Sequence, residues 1–392
     1  MNTNSYVEDD QKILLSSDQR AVLRLLRESM LQPDSLSAED SEQSFDCKRV
    51  SKMILKNGIL LTVFAVLPLE LQEMLRGKYD SALKQAVLQD YEGNRLIDTF
   101  ADAGVDCIAL KGWELRKLYP LPFMRQMADV DIFIRPYDYL QLKKMMEGNH
   151  FTCGGKSSWK HDDFYKGEVT VEIHKRLSDN EDTLQIWQEG IWERAKRKKD
   201  HVFEMEIEDF IVFHFIHMYK DFLNGSLGLR RIVDTWLLSH MKINESQVED
   251  VLTKIGIGEF KKRMIELSYA TMGEKRIGAD TALLLRHAFD YGIFGSDLSY
   301  KTGRIVTRSK KSLLVGKIKS FVSAVLLPFG RMKVHYPILK KFPVLLPVYW
   351  VKRAWELLRS SGIKRNREKL NYGNVKKADY EEMQAFFKAG GV

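Results

Sequence analysis

Two short apolar runs constrain the fold of this chain more than any other feature: Cys107 to Leu110 and Val130 to Ile134. Both are rich in strand-forming residues, so each predicts a buried strand. Lys111, Gly112 and a helical segment over residues 113–119 follow the first run. A glycine before a helix lets a phosphate approach the backbone, and a helix N-terminus offers unpaired N–H groups to an anion. Because strand-Gly-helix turns are common, an ordinary connection is the first interpretation and a ligand-binding loop the second.

The second run carries two aspartates, Asp129 and Asp131. Side chains two apart on a strand point to the same face, so the two carboxylates are expected to converge. Like charges so close destabilise each other unless a cation neutralises them, and Mg²⁺ is often held by one or two carboxylates plus substrate phosphates. The pair therefore indicates a divalent-metal site. The alternative is that one aspartate caps a turn while the other faces solvent at a strand edge.

A third carboxylate strengthens the metal interpretation. Residues 168–174, EVTVEIH, alternate polar and apolar side chains, so Thr170, Glu172 and His174 share one face of a predicted strand. If this strand lies beside the aspartates, Glu172 completes a set of three carboxylates. The alternative for Glu172 is an ordinary position facing solvent. His174 either orients Glu172, contacts a ligand or is only a polar neighbour.

The order strand, helix, strand, helix, strand predicts a small α/β or α+β core. Three segments around the carboxylates, LKGWEL, YPLPFMRQMADVDIFI and VTVEIH, resemble the uncharacterised nucleotidyltransferase family of the DNA polymerase beta-like nucleotidyltransferase superfamily. Residues 214–238 and 327–358 are similar to the same family, so the resemblance extends from about residue 14 to residue 358. It implies an α+β fold in which flanking helical regions surround a small mixed β-sheet.

The resemblance also implies an activity: transfer of a nucleoside monophosphate from an NTP to a hydroxyl or phosphate acceptor, with release of pyrophosphate. Asp129, Asp131 and Glu172 would hold one or two Mg²⁺ or Mn²⁺ ions, and Glu172 would also activate the acceptor hydroxyl. The acceptor itself is not readable from the sequence. A small molecule, a sugar phosphate, a peptide, a protein side chain and an RNA end all fit.

On the phosphate side, the resemblance implies that Gly112 lets the triphosphate come close. Lys111 and Arg125 are candidate charge partners for the phosphates. The superfamily's usual Gly-Ser or Gly-Gly turn is here Gly112-Trp113. Trp113 is therefore expected to place a bulky side chain where a hydroxyl or a bare backbone often meets the triphosphate.

Arg230 is a further candidate phosphate ligand, because the planar guanidinium suits bidentate recognition of phosphate. An ion pair between Arg230 and Asp234, one helical turn away, is an equally favoured interpretation. His214 and His217 lie three apart on one predicted helix, a spacing that can bind metal. No acid or cysteine partner accompanies them, so buried or partner-facing histidines are favoured.

Composition limits the class of protein. The 392 residues are 44% hydrophobic and 29% charged, which is typical of a soluble globular chain, and the three cysteines lack the spacing of a zinc site or a disulfide framework. A polar N-terminus without an apolar core predicts no signal peptide, and no apolar run is long enough to span a membrane. We expect a cytoplasmic protein, either free or peripheral to a membrane.

Four regions are expected along the chain. Residues 1–12 are predicted to be disordered, and apolar residues at helical spacing predict helices over 14–31, 47–67 and 69–103. The predicted domains are an N-terminal helical cap (1–100), the nucleotidyltransferase core (101–200), a helical domain (201–300) and a basic, aromatic-rich helical region (301–392).

The positive charge is concentrated near the C-terminus. Residues 304–369 contain 17 Lys and Arg but two acids, a net charge of +15, whereas the whole chain carries +8 and the remainder therefore −7. Interleaved aromatic residues favour contact with a membrane surface or an acidic polymer. A solvated basic face over a packed apolar one is an equal alternative, and nucleic acid ranks third because no binding motif accompanies the charge.

Two rival functions use the same residues. A phosphotransferase would act on the γ-phosphate with the same carboxylates and release a nucleoside diphosphate. A catalytically silent nucleotide-binding or scaffold protein at the membrane surface would bind the nucleotide without turnover.

Overall fold

The computed structural model describes residues 14–31, 45–135, 139–154, 160–177, 182–359 and 372–392. The predicted disorder of residues 1–12 lies outside the described residues, as does the part of the basic region from 360 to 369. Neither expectation is tested here.

A seven-stranded mixed sheet forms the centre of the α+β fold, which confirms the predicted fold class. The strands are β1 (Cys107–Ala109), β2 (Val130–Ile134), β3 (Thr152–Cys153), β4 (His161–Lys166), β5 (Val169–His174), β6 (Lys196–Lys199) and β7 (Val202–Glu204). Their order across the sheet is β3-β4-β5-β2-β1-β7-β6. The β2–β5 and β1–β7 pairs are parallel, and the other four pairs are antiparallel.

Helices cover both faces of the sheet. Before β1 they are α1 (Ser17–Met30), α2 (Cys47–Asn57), α3 (Leu60–Val63) and α4 (Leu69–Asp102). Those from β1 to Arg308 are α5 (Gly112–Leu115), α6 (Tyr139–Gly148), α7 (Asp182–Glu189), α8 (Ile191–Arg194), α9 (Ile207–Leu223), α10 (Leu229–Ser239), α11 (Glu245–Lys254), α12 (Gly258–Met272), α13 (Ala279–Tyr291) and α14 (Asp297–Arg308). The C-terminal ones are α15 (Leu313–Val325), α16 (Phe329–His335), α17 (Leu346–Arg359) and α18 (Lys377–Ala389).

Local signals explain where the N-terminal helices begin and end. Ser16 and Gln19 form a capping box at the start of α1, and the Asp46 carboxylate accepts two backbone N–H groups at the start of α2. Gly58 ends α2 in the left-handed conformation, with φ of 63°. The predicted helix over 47–67 is therefore interrupted, whereas the predicted helix over 69–103 is continuous as α4.

The two faces of the sheet pack against different helices. Ile132 lies in the apolar cluster that contains Leu96 and Phe100 of α4. Phe133 lies in the larger cluster that includes residues of α9 and α10. Asp131 is on the same face as Phe133 because side chains two apart on a strand share a face. The carboxylates of the predicted site therefore point toward α9 and α10.

The sequence did not predict four of the seven strands. In β4, HDDFYK, only Phe164 is both apolar and fully buried, and β6 consists of four exposed cationic residues, KRKK. Pairing with β5 and β7 forms these strands, and no apolar alternation marks them. The predicted helix over 113–119 is also shorter than expected: α5 is followed by a 3₁₀ turn over Arg116–Leu118, just before Pro120. No helix among the described residues has both the length and the apolar content to cross a bilayer.

Candidate functional site

Three carboxylates meet where β2 and β5 run parallel. Asp131 lies directly opposite Glu172 in the register of these strands. Asp129 lies immediately before β2. One oxygen from each of the three carboxylates lies within 4.8 Å of the others. The structure thus brings together the three acidic residues that the sequence singled out, and oxygen ligands at this spacing suit a divalent cation.

Two cationic groups already contact these carboxylates. The Lys111 ammonium forms an ion pair with Asp131 Oδ1 and lies 3.9 Å from Glu172 Oε2. His174 Nε2 lies 2.7 Å from Asp131 Oδ1 and 3.2 Å from Glu172 Oε2. The sequence placed His174 on the face of Glu172 without deciding its role; the structure makes it a hydrogen-bond partner of both acids.

These contacts set the protonation states. Burial alone would raise the pKa values of Asp131 and Glu172, but Lys111 and His174 hold both below their ordinary values. Burial alone would likewise lower the pKa values of Lys111 and His174, but the carboxylates raise both. The four side chains therefore form a charged network of two acids and two cations.

Asp129 differs from the other two acids. It forms no hydrogen bond or ion pair with any residue in the described part of the chain. Burial, and then the neighbouring Asp131, raise its pKa to about 6. A desolvated carboxylate without a partner, beside two further carboxylates, fits a divalent cation that would supply the missing charge.

A second cluster of possible metal ligands adjoins the first. Ligand atoms of His161, Glu172 and His174 lie within 4.8 Å of one another. His161 is on β4, opposite His174 in the register of β4 and β5. His161 was not predicted as a site residue because β4 itself was not predicted. A predicted hairpin that placed His161 opposite His174 would have indicated it.

The strand-to-helix turn after β1 is strained. Lys111 has φ of 44° and ψ of −117°, a conformation that L-residues rarely adopt. The turn directs the ammonium toward Asp131. A Cβ atom on Gly112 would lie 2.4 Å from Arg125 Nη1 and 2.8 Å from Met127 Sδ. Glycine is therefore required at position 112 by the close approach of Arg125 and Met127.

Arg125 has a structural partner. Its Nε donates to Asp234 Oδ1 at 2.9 Å, and its Nη2 donates to Asp234 Oδ2 at 2.8 Å. The Tyr119 hydroxyl also donates to Asp234 Oδ1, at 2.9 Å. Asp234 is fully buried. The ion pair considered between Arg230 and Asp234 is therefore wrong: Asp234 binds Arg125, and Arg230 Nη1 donates to the Gln126 carbonyl oxygen at 2.6 Å.

A cavity of ≈ 220 Å³ lies over the carboxylates, between the Gly112 turn and helices α9 and α10; we call it the carboxylate cavity. Its lining residues include Lys111, Gly112, Arg125, Asp129, Asp131, His214, His217, Arg230 and Arg231. The Nε atoms of Arg230 and Arg231 are buried and have no hydrogen-bond partner in the described part of the chain. The cavity therefore has Asp129 and Asp131 on one wall and three arginines on the other, where Arg125 is paired with Asp234 and Arg231 with Asp221.

The two histidines of α9 do not join either metal cluster. His214 Nε2 lies 2.9 Å from Thr235 Oγ1 in the protein interior, as the buried interpretation predicts. Burial lowers the pKa of His214 to about 4, so the ring is neutral at pH 7. His217 is partly exposed, and its ring packs edge-on against Phe213.

Comparison with protein families gives one match. The family model described as an uncharacterised nucleotidyltransferase matches residues 45–273, more than half of the chain. The chain belongs to this family. The match spans all seven strands and every carboxylate of the site, in agreement with the resemblance found in the sequence. Searches of the curated proteins and of the solved structures find no match.

The expectation that the Trp113 side chain obstructs the triphosphate site is wrong. The Trp113 side chain is buried on the opposite side of the turn, against α4, where a Cβ atom on Gly93 would lie 2.2 Å from its ring. The Arg116 guanidinium stacks 4.1 Å from the centre of the ring. Trp113 does not line the carboxylate cavity.

Proposed function

We propose that this member of the family is a metal-dependent nucleotidyltransferase. An acceptor hydroxyl or phosphate oxygen forms a bond to the α-phosphorus of an NTP, the bond from that phosphorus to the β-phosphate oxygen breaks, and pyrophosphate leaves. When a hydroxyl is the acceptor, its proton passes to a base. The observation that carries the proposal is the convergence of Asp129, Asp131 and Glu172 beside an arginine-lined cavity.

Asp129, Asp131 and Glu172 would hold the divalent cation, Mg²⁺ or Mn²⁺. When bound, the cation neutralises charge on the triphosphate and on the developing transition state. Asp129 supplies an oxygen without a protein partner. To hold the cation, Asp131 and Glu172 would give up their contacts with Lys111, whose flexible side chain also lines the cavity.

The opposite wall supplies charge for the phosphates. Arg230 and Arg231 each keep a buried Nε–H without a partner among the described residues, and buried donors gain most from a charged acceptor. Gly112 lines the cavity at the turn after β1, where its lack of a Cβ atom makes room for Arg125 and Met127. Arg125 holds this wall in place because its Nε and Nη2 atoms donate to Asp234, while its Nη1 atom lies beside Gly112.

Glu172 is the base assigned to the acceptor hydroxyl. It lies at the edge of the carboxylate set that faces β4, and His174 holds one of its oxygens. That hydrogen bond keeps the pKa of Glu172 below its ordinary value, so the group is ionised at neutral pH and able to accept a proton.

Product analysis tests the reaction type. Each NTP, labelled on the α- or the γ-phosphate, is incubated with protein and Mg²⁺, with water as a slow acceptor. Nucleoside monophosphate and pyrophosphate are the expected products. Nucleoside diphosphate and phosphate would instead identify a phosphotransferase, and nucleotide bound without any product would identify a catalytically silent binding protein.

Asp131→Asn tests the assignment of the site. The variant should lose at least about a thousand-fold in turnover, because several kcal/mol of transition-state stabilisation depend on the metal. Asp250→Asn, on the exposed face of α11, is the matched control and should keep wild-type turnover. Near-normal turnover by a folded Asp131→Asn protein would refute the assignment.

A further inference from the structure

A second cavity adjoins the first and has the opposite character. It encloses ≈ 960 Å³, and we call it the basic cavity. Its cationic lining residues come from four separate parts of the chain: Lys160, Lys220, Arg304, Arg308 and Arg331. No carboxylate is present among the described residues that line it. Its volume falls within the range of about 300–1,000 Å³ that is usual for small-molecule sites.

Two of these cations are a like-charged pair. Arg304 and Arg308 lie one turn apart on α14, and neither forms an ion pair with an acid in the described part of the chain. Arg308 Nε donates to Ser323 Oγ at 2.9 Å, and Arg304 Nη1 donates to the Tyr300 hydroxyl at 3.1 Å. Burial, and then the charge of Arg304, lower the pKa of Arg308. An anion bound between the two guanidinium groups would remove this repulsion.

The basic cavity reaches the carboxylates from the Glu172 side. His217 lines both cavities. His161, whose ring lies within ligand distance of Glu172, lines the basic cavity. The Gly112 turn and Asp129 line the carboxylate cavity instead. Glu172 is not among the residues that line either cavity, but His161 brings the basic cavity next to it, whereas Asp129 and the Gly112 turn lie on the carboxylate cavity.

We propose that the basic cavity binds the acceptor, and that the acceptor is a small molecule bearing a phosphate or a carboxylate. This inference rests on the proposed function, because it uses the role of Glu172. Arg304 and Arg308 bind the anionic group, which directs a hydroxyl of the same molecule toward Glu172. The hydroxyl oxygen bonds to the α-phosphorus, its proton passes to the Glu172 carboxylate, and pyrophosphate leaves. Arginine suits both anions because its guanidinium can bind either in bidentate fashion.

Calorimetry on the 392-residue chain tests the proposal. The carboxylate cavity is first filled with Mg²⁺ and an α,β-methylene NTP, so that added anions meet only the basic cavity. Glucose 1-phosphate, glucuronate and the uncharged methyl glucoside are then titrated at millimolar concentration. We expect at least one of the two anions to bind and the methyl glucoside not to bind. The anion that binds identifies the group recognised.

The variant Arg304→Gln/Arg308→Gln should weaken anion binding at least tenfold and leave the affinity for the NTP analogue unchanged. Arg331→Gln, at an exposed position on the rim, is a second variant that cannot disturb packing and should weaken it less. Failure of both anions to bind, or binding that the double variant leaves intact, would overturn the proposal. If instead no NTP analogue binds, the proposed function fails while anion binding to the basic cavity is still measured.

A different observation concerns helix α15, which buries mainly small side chains and exposes large apolar ones. Its buried residues are the small Gly316, Ser320 and Ala324, spaced four apart, together with Val325 at the end of the helix. A Cβ atom on Gly316 would lie 2.6 Å from Ile305 Cγ2, so this face is closely packed on α14. Large apolar residues lie on the other face and are exposed to solvent: Leu314, Val315, Ile318, Phe321 and Val322. A helix of a soluble protein normally buries its large apolar residues.

The exposed apolar surface continues beyond α15. Further exposed apolar side chains are Leu326, Ile338, Phe342, Val344, Val348, Val351 and Trp355. Helix α17 is fixed to the end of α15 because Trp350 Nε1 donates to the Leu327 carbonyl oxygen and Arg353 Nε donates to the Ala324 carbonyl oxygen. We call the exposed apolar side chains over residues 314–355 the C-terminal apolar face. Many large apolar side chains exposed on neighbouring helices mark an interaction site.

The positive charge around the C-terminal apolar face indicates an anionic partner. Residues 304–359 carry 13 Lys and Arg but a single acid, Glu356. Lys352 lies within 6 Å of the ring centres of Tyr336 and Tyr349, at 5.7 and 5.4 Å, so cations and aromatic rings are intermixed on this surface. Apolar and aromatic side chains surrounded by cations are typical of segments that lie at the interface of an anionic bilayer.

We propose that the C-terminal apolar face binds the surface of an anionic lipid bilayer. Sedimentation with vesicles tests this: the protein should bind vesicles of phosphatidylcholine mixed with phosphatidylglycerol, bind pure phosphatidylcholine more weakly, and dissociate at high salt. Val344→Asp/Val348→Asp should reduce binding at least tenfold. Ile186→Asp, an equally exposed apolar position on α7, is the control and should bind normally.

Two results would overturn this second proposal. One is vesicle binding that the double variant leaves unchanged. The other is a concentration-dependent dimer in light scattering that the same variant dissociates, because the face would then bind a second copy of the chain. Neither result depends on nucleotide, so the test is independent of the active site.

Discussion

His217 lines both cavities, but the two cavities differ in whether their charged side chains are paired. In the carboxylate cavity most charged side chains are paired: Arg125 with Asp234, Lys111 with Asp131, and Arg231 with Asp221. Asp129 and Arg230 form no ion pair with another described residue. In the basic cavity, Arg304 and Arg308 face each other without an acid among the described residues. Paired charges contribute to the stability of the fold, whereas like charges left together favour an external anion. The contrast therefore separates residues that hold the protein together from residues available to a ligand.

Removal of the Arg125 charge should have the largest effect on stability. Arg125→Gln leaves the Asp234 carboxylate buried without its cation, which costs about 3–5 kcal/mol of unfolding free energy. Urea denaturation measures this loss. The double variant Arg125→Gln/Asp234→Asn should recover part of it, because no buried charge remains. A loss below about 1 kcal/mol would mean that Arg125 is free to bind phosphate after all.

The buried neutral histidine His214 should make stability depend on pH. Its pKa is about 4 in the folded protein and about 6.5 in the unfolded chain, so the unfolded chain binds more protons between these values. Stability therefore falls as the pH decreases from 6.5 to 4, by about 3 kcal/mol for this group.

His287, on α13 and away from the carboxylate cavity, has the same lowered pKa of about 4 and is the matched comparison. His214→Gln and His287→Gln should each remove a similar part of the pH dependence in urea titrations. A wild-type protein equally stable at pH 4.5 and pH 7 would contradict neutral burial of both rings.

Lys111 should compete with a free metal ion and assist a metal-nucleotide complex. In Lys111→Met the Asp131 carboxylate loses its cation, so Mg²⁺ alone should bind about tenfold more tightly, a difference of about 1.4 kcal/mol. The Mg²⁺–NTP complex should bind less tightly, because a charge partner of the phosphates is lost. Calorimetry measures both affinities. Weaker binding of Mg²⁺ alone would show that Lys111 supports the metal site and does not compete for it.

Arg304 should contribute least to stability. Arg304→Gln loses a hydrogen bond to Tyr300 but also relieves repulsion with Arg308, so unfolding free energy should change by less than about 1 kcal/mol. The unfolding free energy of Arg125→Gln, measured by the same urea titration, is the comparison. A loss as large as that of Arg125→Gln would make the basic cavity a structural feature and remove its contrast with the carboxylate cavity.

The central strands could be predicted from sequence because their side chains carry the signal locally. β2 and β5 are bounded by charged or turn residues and alternate or bury their side chains, and both were predicted to within one residue. β4 and β6 are polar or cationic and exist through pairing with neighbours, which periodicity cannot detect. The fold class was predictable; the width of the sheet was not.

The candidate site, like the sheet, could be predicted only where the signal is local in the sequence. Asp131 and Glu172 belong to β2 and β5, Asp129 immediately precedes β2, and the same-face rule was sufficient to predict that the three converge. The partner of Asp234 depends on packing between the Gly112 turn and α10, so sequence spacing suggested Arg230 as one of two equal interpretations, whereas the structure has Arg125. The basic cavity gathers cations from distant helices, and only the fold brings them to one surface.

The most direct test of the central claim is calorimetric titration of the protein with each of the four NTPs, with and without Mg²⁺. The double variant Asp129→Asn/Asp131→Asn is the comparison. We expect at least one NTP to bind in the presence of Mg²⁺ and to bind much more weakly without Mg²⁺. The double variant should lose NTP binding while remaining folded. Failure of every NTP to bind the folded wild-type protein with Mg²⁺, or equal binding by the double variant, would contradict a nucleotide site at these carboxylates.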